Sequence, residues 1–222
     1  MKTKEKKILL SGIVLILWFV LWTLLIQIID VKPAGANGTE IGFSAINTWF
    51  HSETGVNMLL YNITDWLGLV PIFVCTFFCV LGVVQLIKRR SLFKVDFDIV
   101  LLGVYYVIVI FGYLIFETIP INYRPILIDG FLESSYPSST TLLVLSVMPT
   151  AVFQANQRLR NAAIKRLTAS VTVMFTIFMV AGRLLSGVHW LTDIVGSILL
   201  SLGLFCIYKG IVLWNLTKNY RN

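Results

Sequence analysis

The chain has 222 residues, 57% of them hydrophobic and 13% charged, with a formal net charge of +7. A mean hydropathy of +0.85 excludes an ordinary water-soluble domain and points to a membrane protein. The positive charge does not point to nucleic acid, because it is dispersed over separate short loops instead of gathered on one face.

Crossing a bilayer takes about 20 helical residues. Apolar runs of that order occupy 8–29, 57–87, 97–119, 138–156, 168–186 and 188–208. Their length selects helix over strand. The expected fold is therefore all-α: an integral membrane bundle of six transmembrane helices, one domain over 1–222.

The first run follows Lys2, Lys4, Lys6 and Lys7 and superficially resembles a signal peptide. It outlasts the roughly 7–15 apolar residues of such a leader, and no small-residue cleavage pattern follows, so a retained span is expected. In the next loop Pro33, Gly35 and Gly38 break the chain. Ile41, Ala45, Ile46, Trp49 and Phe50 then recur at helical spacing, with Glu40, Asn47, His51 and Glu53 between them. This predicts a short amphipathic helix in the outer interface, either a lipid-facing anchor or a lid for a lipid substrate. His51 reads as an interfacial residue without a partner. Asn37-Gly-Thr and Asn62-Ile-Thr match glycosylation sequons, a pattern common by chance.

The second run opens with what reads as an interfacial turn over 57–68. Cys75, Cys79 and Cys206 sit in apolar runs with no histidine or further cysteine in metal-ligand spacing, so they read as packing residues. The loops after the second and fourth runs carry Lys88, Arg89, Arg90 and Lys94, then Arg158, Arg160, Lys165 and Arg166, while Lys209, Lys218 and Arg221 follow the last run. Fifteen of the eighteen basic residues thus lie on one side of a six-span layout, leaving Lys32, Arg124 and Arg183 on the other. By the positive-inside rule both termini are expected to be cytoplasmic, and the expected location is the plasma membrane.

The remaining chemistry collects on the outer side. The third run ends near Glu117, and a loop carries Arg124-Pro125. Pro137-Ser138-Ser139-Thr140 then opens the fourth run. A proline followed by hydroxyls suits a helix N-terminus, which is also an anion site. The segment from Gly182 to Asp193 places Arg183, His189 and Asp193 in or beside apolar runs, where ionisable groups are expensive and mark function. His189 and Asp193, four residues apart, share one helix face, so the carboxylate can fix the imidazole tautomer. Two arginines and a helix N-terminus make a phosphate pocket. A neutral His189 can attack phosphorus there and form a phosphohistidine.

These residues resemble the type-2 phosphatidic acid phosphatase (PAP2) family, relatives of the vanadium haloperoxidases. The family's blocks are Lys-x6-Arg-Pro, Pro-Ser-Gly-His and Ser-Arg-x5-His-x3-Asp. Here they read Glu117-x6-Arg124-Pro125, Pro137-Ser138-Ser139-Thr140 and Gly182-Arg183-x5-His189-x3-Asp193, a motif-bearing core over about 115–200. The resemblance implies a helical bundle with His189 as nucleophile and Asp193 as its orienting partner. It implies that Arg124 and Arg183 bind phosphate, with Ser138, Ser139 and the backbone completing the oxyanion pocket. Glu117 stands where the family has a lysine, Thr140 where it has the leaving-group histidine, and Gly182 where it has serine. Glu117 is then either a replacement acid or a structural partner of Arg124 or Arg183. Asp129 and Glu133 in the outside loop are alternative acids, or simply solvated loop carboxylates.

The expected function is hydrolysis of a lipid phosphomonoester or diphosphate on the outer face, of the phosphatidate, phosphatidylglycerol phosphate or polyprenyl diphosphate class, with no metal and no cofactor. A non-catalytic binder or transporter of phosphorylated lipids is the alternative. Phosphotransfer between lipids is a third.

Overall fold

The computed structural model describes residues 3–219, and 77% of the chain is helical. Lys2 and Arg221, counted above among the inner-side charges, lie outside the described residues. The order is α1 (Thr3–Ile26), β1 (Lys32–Pro33), β2 (Glu40–Ile41), α2 (Ser44–Thr54), α3 (Met58–Leu67), α4 (Leu69–Arg89), α5 (Phe97–Thr118), α6 (Ser139–Arg158), α7 (Ala162–Leu185) and α8 (Leu191–Asn219). β1 and β2 pair antiparallel, with Lys32 opposite Ile41.

Among the described residues, five stretches are long and apolar enough to cross a membrane: Lys4–Ile26, Met58–Arg89, Phe97–Thr118, Ala162–Leu185 and Leu191–Lys218. The chain is a multi-pass membrane protein. The expected fourth span, α6, is not among the five. It is a 20-residue helix, but Thr140, Thr141, Ser146, Thr150 and Gln154 are all buried in it. Its polarity is hidden by neighbours: Tyr105 Oη donates to the Ser146 carbonyl (2.9 Å), and Thr150 Oγ1 meets Tyr106 Oη (2.7 Å). Pro149 lies inside α6, and such side-chain bonds stand in around a proline's missing donor.

Large apolar side chains of α1, α4, α5 and α7 face outward, as lipid-facing residues do. α1 and α8 approach closely: a Cβ on Gly12 would lie 2.9 Å from the Gly203 carbonyl oxygen, which is small-residue packing between membrane helices. At one end of the bundle Arg158 pairs with Asp98 (2.7 Å) and Arg89 with Asp96 (2.7 Å), tying the ends of α4, α5 and α6 beside the basic loops. The helices alternate in direction, so the ends of α1, α5 and α7 meet the starts of α3, α6 and α8 at the opposite end. The motif residues lie there.

Two local readings change. The stretch expected to be an interfacial turn is α3, a ten-residue helix that runs on into α4 through Gly68. There, helical backbone torsions (φ −58°, ψ −16°) join the two helices. α2 forms where expected, with its faces sorted in an unexpected way. Ser44 and Asn47 are buried while Ile46 and Trp49 are exposed. The polar side faces the protein because its partners are polar: Asn47 Nδ2 donates to Thr192 Oγ1 (3.0 Å) and to the Gly42 carbonyl (2.8 Å).

Candidate functional site

Three segments build the site: the α5–α6 loop, the start of α6 and the α7–α8 turn. The loop is a small hairpin. Tyr123 pairs with Ser134 and Ile128 with Phe131. Its tip is Asp129-Gly130, both with positive φ (50° and 83°), the backbone an Asp-Gly hairpin turn adopts. One arm carries Asn122 and Arg124, the other Glu133 and Ser135. The arms are held in register by Arg124 N–H to the Glu133 carbonyl (3.1 Å) and Ser135 N–H to the Asn122 carbonyl (2.9 Å).

The α7–α8 turn carries His189. Gly187 there has φ +69°, and a Cβ on it would sit 1.8 Å from the Gly55 carbonyl oxygen, so only glycine fits between this turn and the end of α2. His51, expected to have no partner, lies over the turn, its ring 5.6 Å from that of Trp190. Trp190 Nε1 donates to the Tyr123 carbonyl (2.7 Å), joining turn to hairpin. Asp193 is the third residue of α8, and its Oδ2 accepts the Trp190 N–H (2.8 Å). That is half of a capping box, so the same carboxylate starts the helix and faces the imidazole.

His189 and Asp193 are both buried. His189 Nδ1 and Asp193 Oδ2 are 3.7 Å apart, too far for a direct hydrogen bond. Ser135 lies between them. Its Oγ is 3.1 Å from His189 Nδ1 and donates to Asp193 Oδ2. Asn122 Nδ2 reaches Asp193 Oδ1 (3.4 Å). His189 Nε2 is buried with no hydrogen-bond partner among the described residues.

The two arginines converge on Tyr61 of α3. The Arg183 guanidinium carbon is 4.6 Å from that ring's centre and that of Arg124 5.7 Å, both within cation–π range. Arg183 Nη2 donates to Asp65 Oδ1 (2.8 Å) and to Thr140 Oγ1, and Nη1 to the Tyr61 carbonyl (3.4 Å). Arg124 Nε lies 3.1 Å from Glu133 Oε2. Arg124 Nη1 and Arg183 Nε are buried without hydrogen-bond partners among the described residues.

Ser138 caps α6 and is fully buried. Its Oγ donates to Thr141 Oγ1 (3.0 Å), and its N–H points to the Asp193 carbonyl (3.4 Å). Ser139 and Thr140 line a cavity of about 280 Å³ with Asp65 and Tyr113, walled by apolar residues of α4, α5 and α6.

Glu117 stands apart from both arginines. It is exposed and accepts a hydrogen bond from Ser134 Oγ (2.6 Å). The carboxylates that meet the arginines are Asp65, which the sequence did not single out, and Glu133, expected as an alternative acid or a solvated loop group. Tyr61, Asn122 and Ser135 were also missed. Asp65 did leave a signal, being an ionisable group in an apolar run. Asn122 and Ser135 left none, since hydroxyls and amides cost little in a polar loop, and Tyr61 reads as one more aromatic in an apolar run.

A family model described as the PAP2 superfamily matches residues 73–217, well over half of the chain. Among solved structures, the chain is similar to a transmembrane PAP2 type phosphatidylglycerolphosphate phosphatase from Bacillus subtilis. The TM-score is 0.64 at 16% identity, covering 90% of this chain and 95% of that one. At that identity the likeness speaks for the fold. No curated protein matches the chain.

Proposed function

The chain belongs to the PAP2 superfamily, and from that premise we propose that it is an integral membrane lipid phosphatase working through a phosphohistidine on His189. One observation carries the reading. Three buried nitrogens, Arg124 Nη1 of the hairpin, Arg183 Nε of α7 and His189 Nε2 of the α7–α8 turn, lack hydrogen-bond partners among the described residues, and burying such groups unsatisfied is costly unless a ligand completes them. A phosphate oxyanion accepts from both guanidiniums and puts phosphorus before the imidazole lone pair.

In this mechanism Nε2 forms a bond to phosphorus as the bond to the leaving oxygen breaks, and that oxygen takes the electron pair. Water then attacks the phosphohistidine, releases inorganic phosphate and returns the electron pair to Nε2. Arg124, Arg183 and the α6 N-terminus at Ser138 and Ser139 neutralise the charge gathered on the equatorial oxygens. These groups do so without a metal or a cofactor. An alkoxide leaving group needs a proton and a phosphate leaving group needs it less. Thr140 supplies no imidazole, so a polyprenyl diphosphate suits the site better than phosphatidate or phosphatidylglycerol phosphate. The apolar-walled cavity beside Thr140 supports a lipid substrate.

The whole chain, 1–222, acts as one domain. α6 is its fourth span and brings the number to six, α2 lies in the outer interface of the plasma membrane, both termini are cytoplasmic and the site opens outward. The distribution of basic residues supports this orientation.

The test is phosphate release in detergent from a panel of lipid mono- and diphosphates. His189→Ala and Arg183→Ala each abolish release, while Thr140→Ala lowers it by less than about tenfold, since a general acid would be worth roughly 10²–10⁴-fold. Full activity in the His189→Ala protein refutes the nucleophile. A second reading, a non-catalytic binder of phosphorylated lipids, is favoured by the Asp65 and Thr140 contacts already made to Arg183 Nη2. Tight lipid binding without release from any substrate selects it.

A further inference from the structure

The hydroxyl between the imidazole and the carboxylate constrains where the protons sit. Ser135 Oγ touches two groups, His189 Nδ1 at 3.1 Å and Asp193 Oδ2, and it has one proton to give. An ionised carboxylate only accepts. Asp193 Oδ2 also accepts the Trp190 N–H (2.8 Å), and Oδ1 faces the Asn122 amide (3.4 Å), so donors surround this carboxylate as an anion requires. The Ser135 proton therefore goes to Asp193. A lone pair of Ser135 Oγ is left facing Nδ1, and Nδ1 must carry the hydrogen. The opposite tautomer would take the serine's proton for Nδ1 and set a hydroxyl lone pair against the carboxylate.

We propose that Ser135 is a positioning residue that fixes His189 as its Nδ1–H tautomer and so presents Nε2 as a bare lone pair. The inference rests on the phosphohistidine reading and deepens it. Nε2 is the ring nitrogen that is buried without a hydrogen-bond partner among the described residues, which leaves it open to phosphorus. When Nε2 bonds phosphorus the ring becomes cationic. Nδ1–H then donates more strongly to Ser135, and the hydroxyl passes the polarisation to Asp193 without a proton leaving either group. The hairpin supplies the stiffness: Ser135 N–H is tied to the Asn122 carbonyl (2.9 Å), and the Tyr136 ring next in sequence is buried, its hydroxyl 2.7 Å from Thr23 Oγ1.

The chain has two histidines, so ¹⁵N-histidine labelling yields two ring spin systems, and a His51→Gln protein assigns them. In full-length protein in detergent near neutral pH, His189 is expected to show a protonated Nδ1 and an unprotonated Nε2, and Ser135→Ala a mixture of tautomers. In the phosphate-release assay Ser135→Ala is expected to lose about a hundredfold in kcat with KM within threefold, and Ser135→Thr to restore most of it. The acid limb of kcat/KM in Ser135→Ala moves upward, because a carboxylate that has lost one donor favours the imidazolium. A wild-type ring protonated on Nε2 overturns the inference. So does a Ser135→Ala protein with wild-type kcat, or one in which only KM changes. A wild-type protein silent on every lipid phosphate overturns the phosphatase reading instead, and the ring shifts still decide the tautomer.

Discussion

The ring of His189 lies in the turn between two spans, and burial there disfavours its charged form. Its pKa falls from the ordinary 6.5 to about 4, with Arg124 and Arg183 pushing the same way and Asp193 opposing. At neutral pH the imidazole is uncharged, as a nucleophile must be. The free enzyme's kcat/KM should therefore hold as pH is lowered through 6.5 and fall only toward 4. Stability should show the complementary trend. Between about 6.5 and 4 the unfolded chain binds the proton and the folded ring does not, so stability drops as pH falls across that window. Thermal unfolding in detergent at a series of pH values checks it, and an acid limb of kcat/KM near 6.5 would show a solvated ring. His189, Asp193, Arg124 and Arg183 were legible in sequence because charge near a membrane is costly and has to be explained. Ser135 was not, because nothing in a loop serine announces that it stands between two other side chains. For Glu117 the partner reading rested on nearness to Arg124 in sequence, yet at the end of α5 its carboxylate meets Ser134.

At the scale of elements, the site is assembled by short pieces between the long helices. α2 is the clearest case. Its periodicity was readable, but which side faced inward depended on Thr192 and the α7–α8 turn, far away in sequence. The contact at Gly187 gives a sharp test. Gly187→Ala forces a side chain into a positive-φ backbone and against the Gly55 carbonyl, at an expected cost of roughly 2–4 kcal/mol. It should lower the thermal midpoint in detergent and cut phosphate release at least tenfold. A Gly187→Ala protein with wild-type melting and rate would show that α2 does not brace the turn. α3 carries a similar lesson. The apolar stretch 58–89 gave no sign that its first turns set Tyr61 and Asp65 against Arg183.

For the molecule as a whole, the long apolar helices and their alternating direction follow from composition, and so does the proposed orientation. Cys75, Cys79 and Cys206 lie in the membrane helices, so an impermeant maleimide can be aimed at single introduced cysteines. Phe131→Cys on the hairpin, where the side chain is 72% exposed, should be labelled from outside intact cells. Lys94→Cys should be labelled only after the membrane is broken, and the reverse pattern would invert the topology. α6 was the hardest helix to weigh from sequence, because its length says span while its hydroxyls and Gln154 say otherwise. That tension bears on how the protein is made. A helix with this many buried polar groups depends on protein partners to satisfy them. Thr150 meets Tyr106 of α5 and Gln154 donates to Tyr208 of α8, so these polar groups of α6 are both partnered only once α8 has been made and has packed against it.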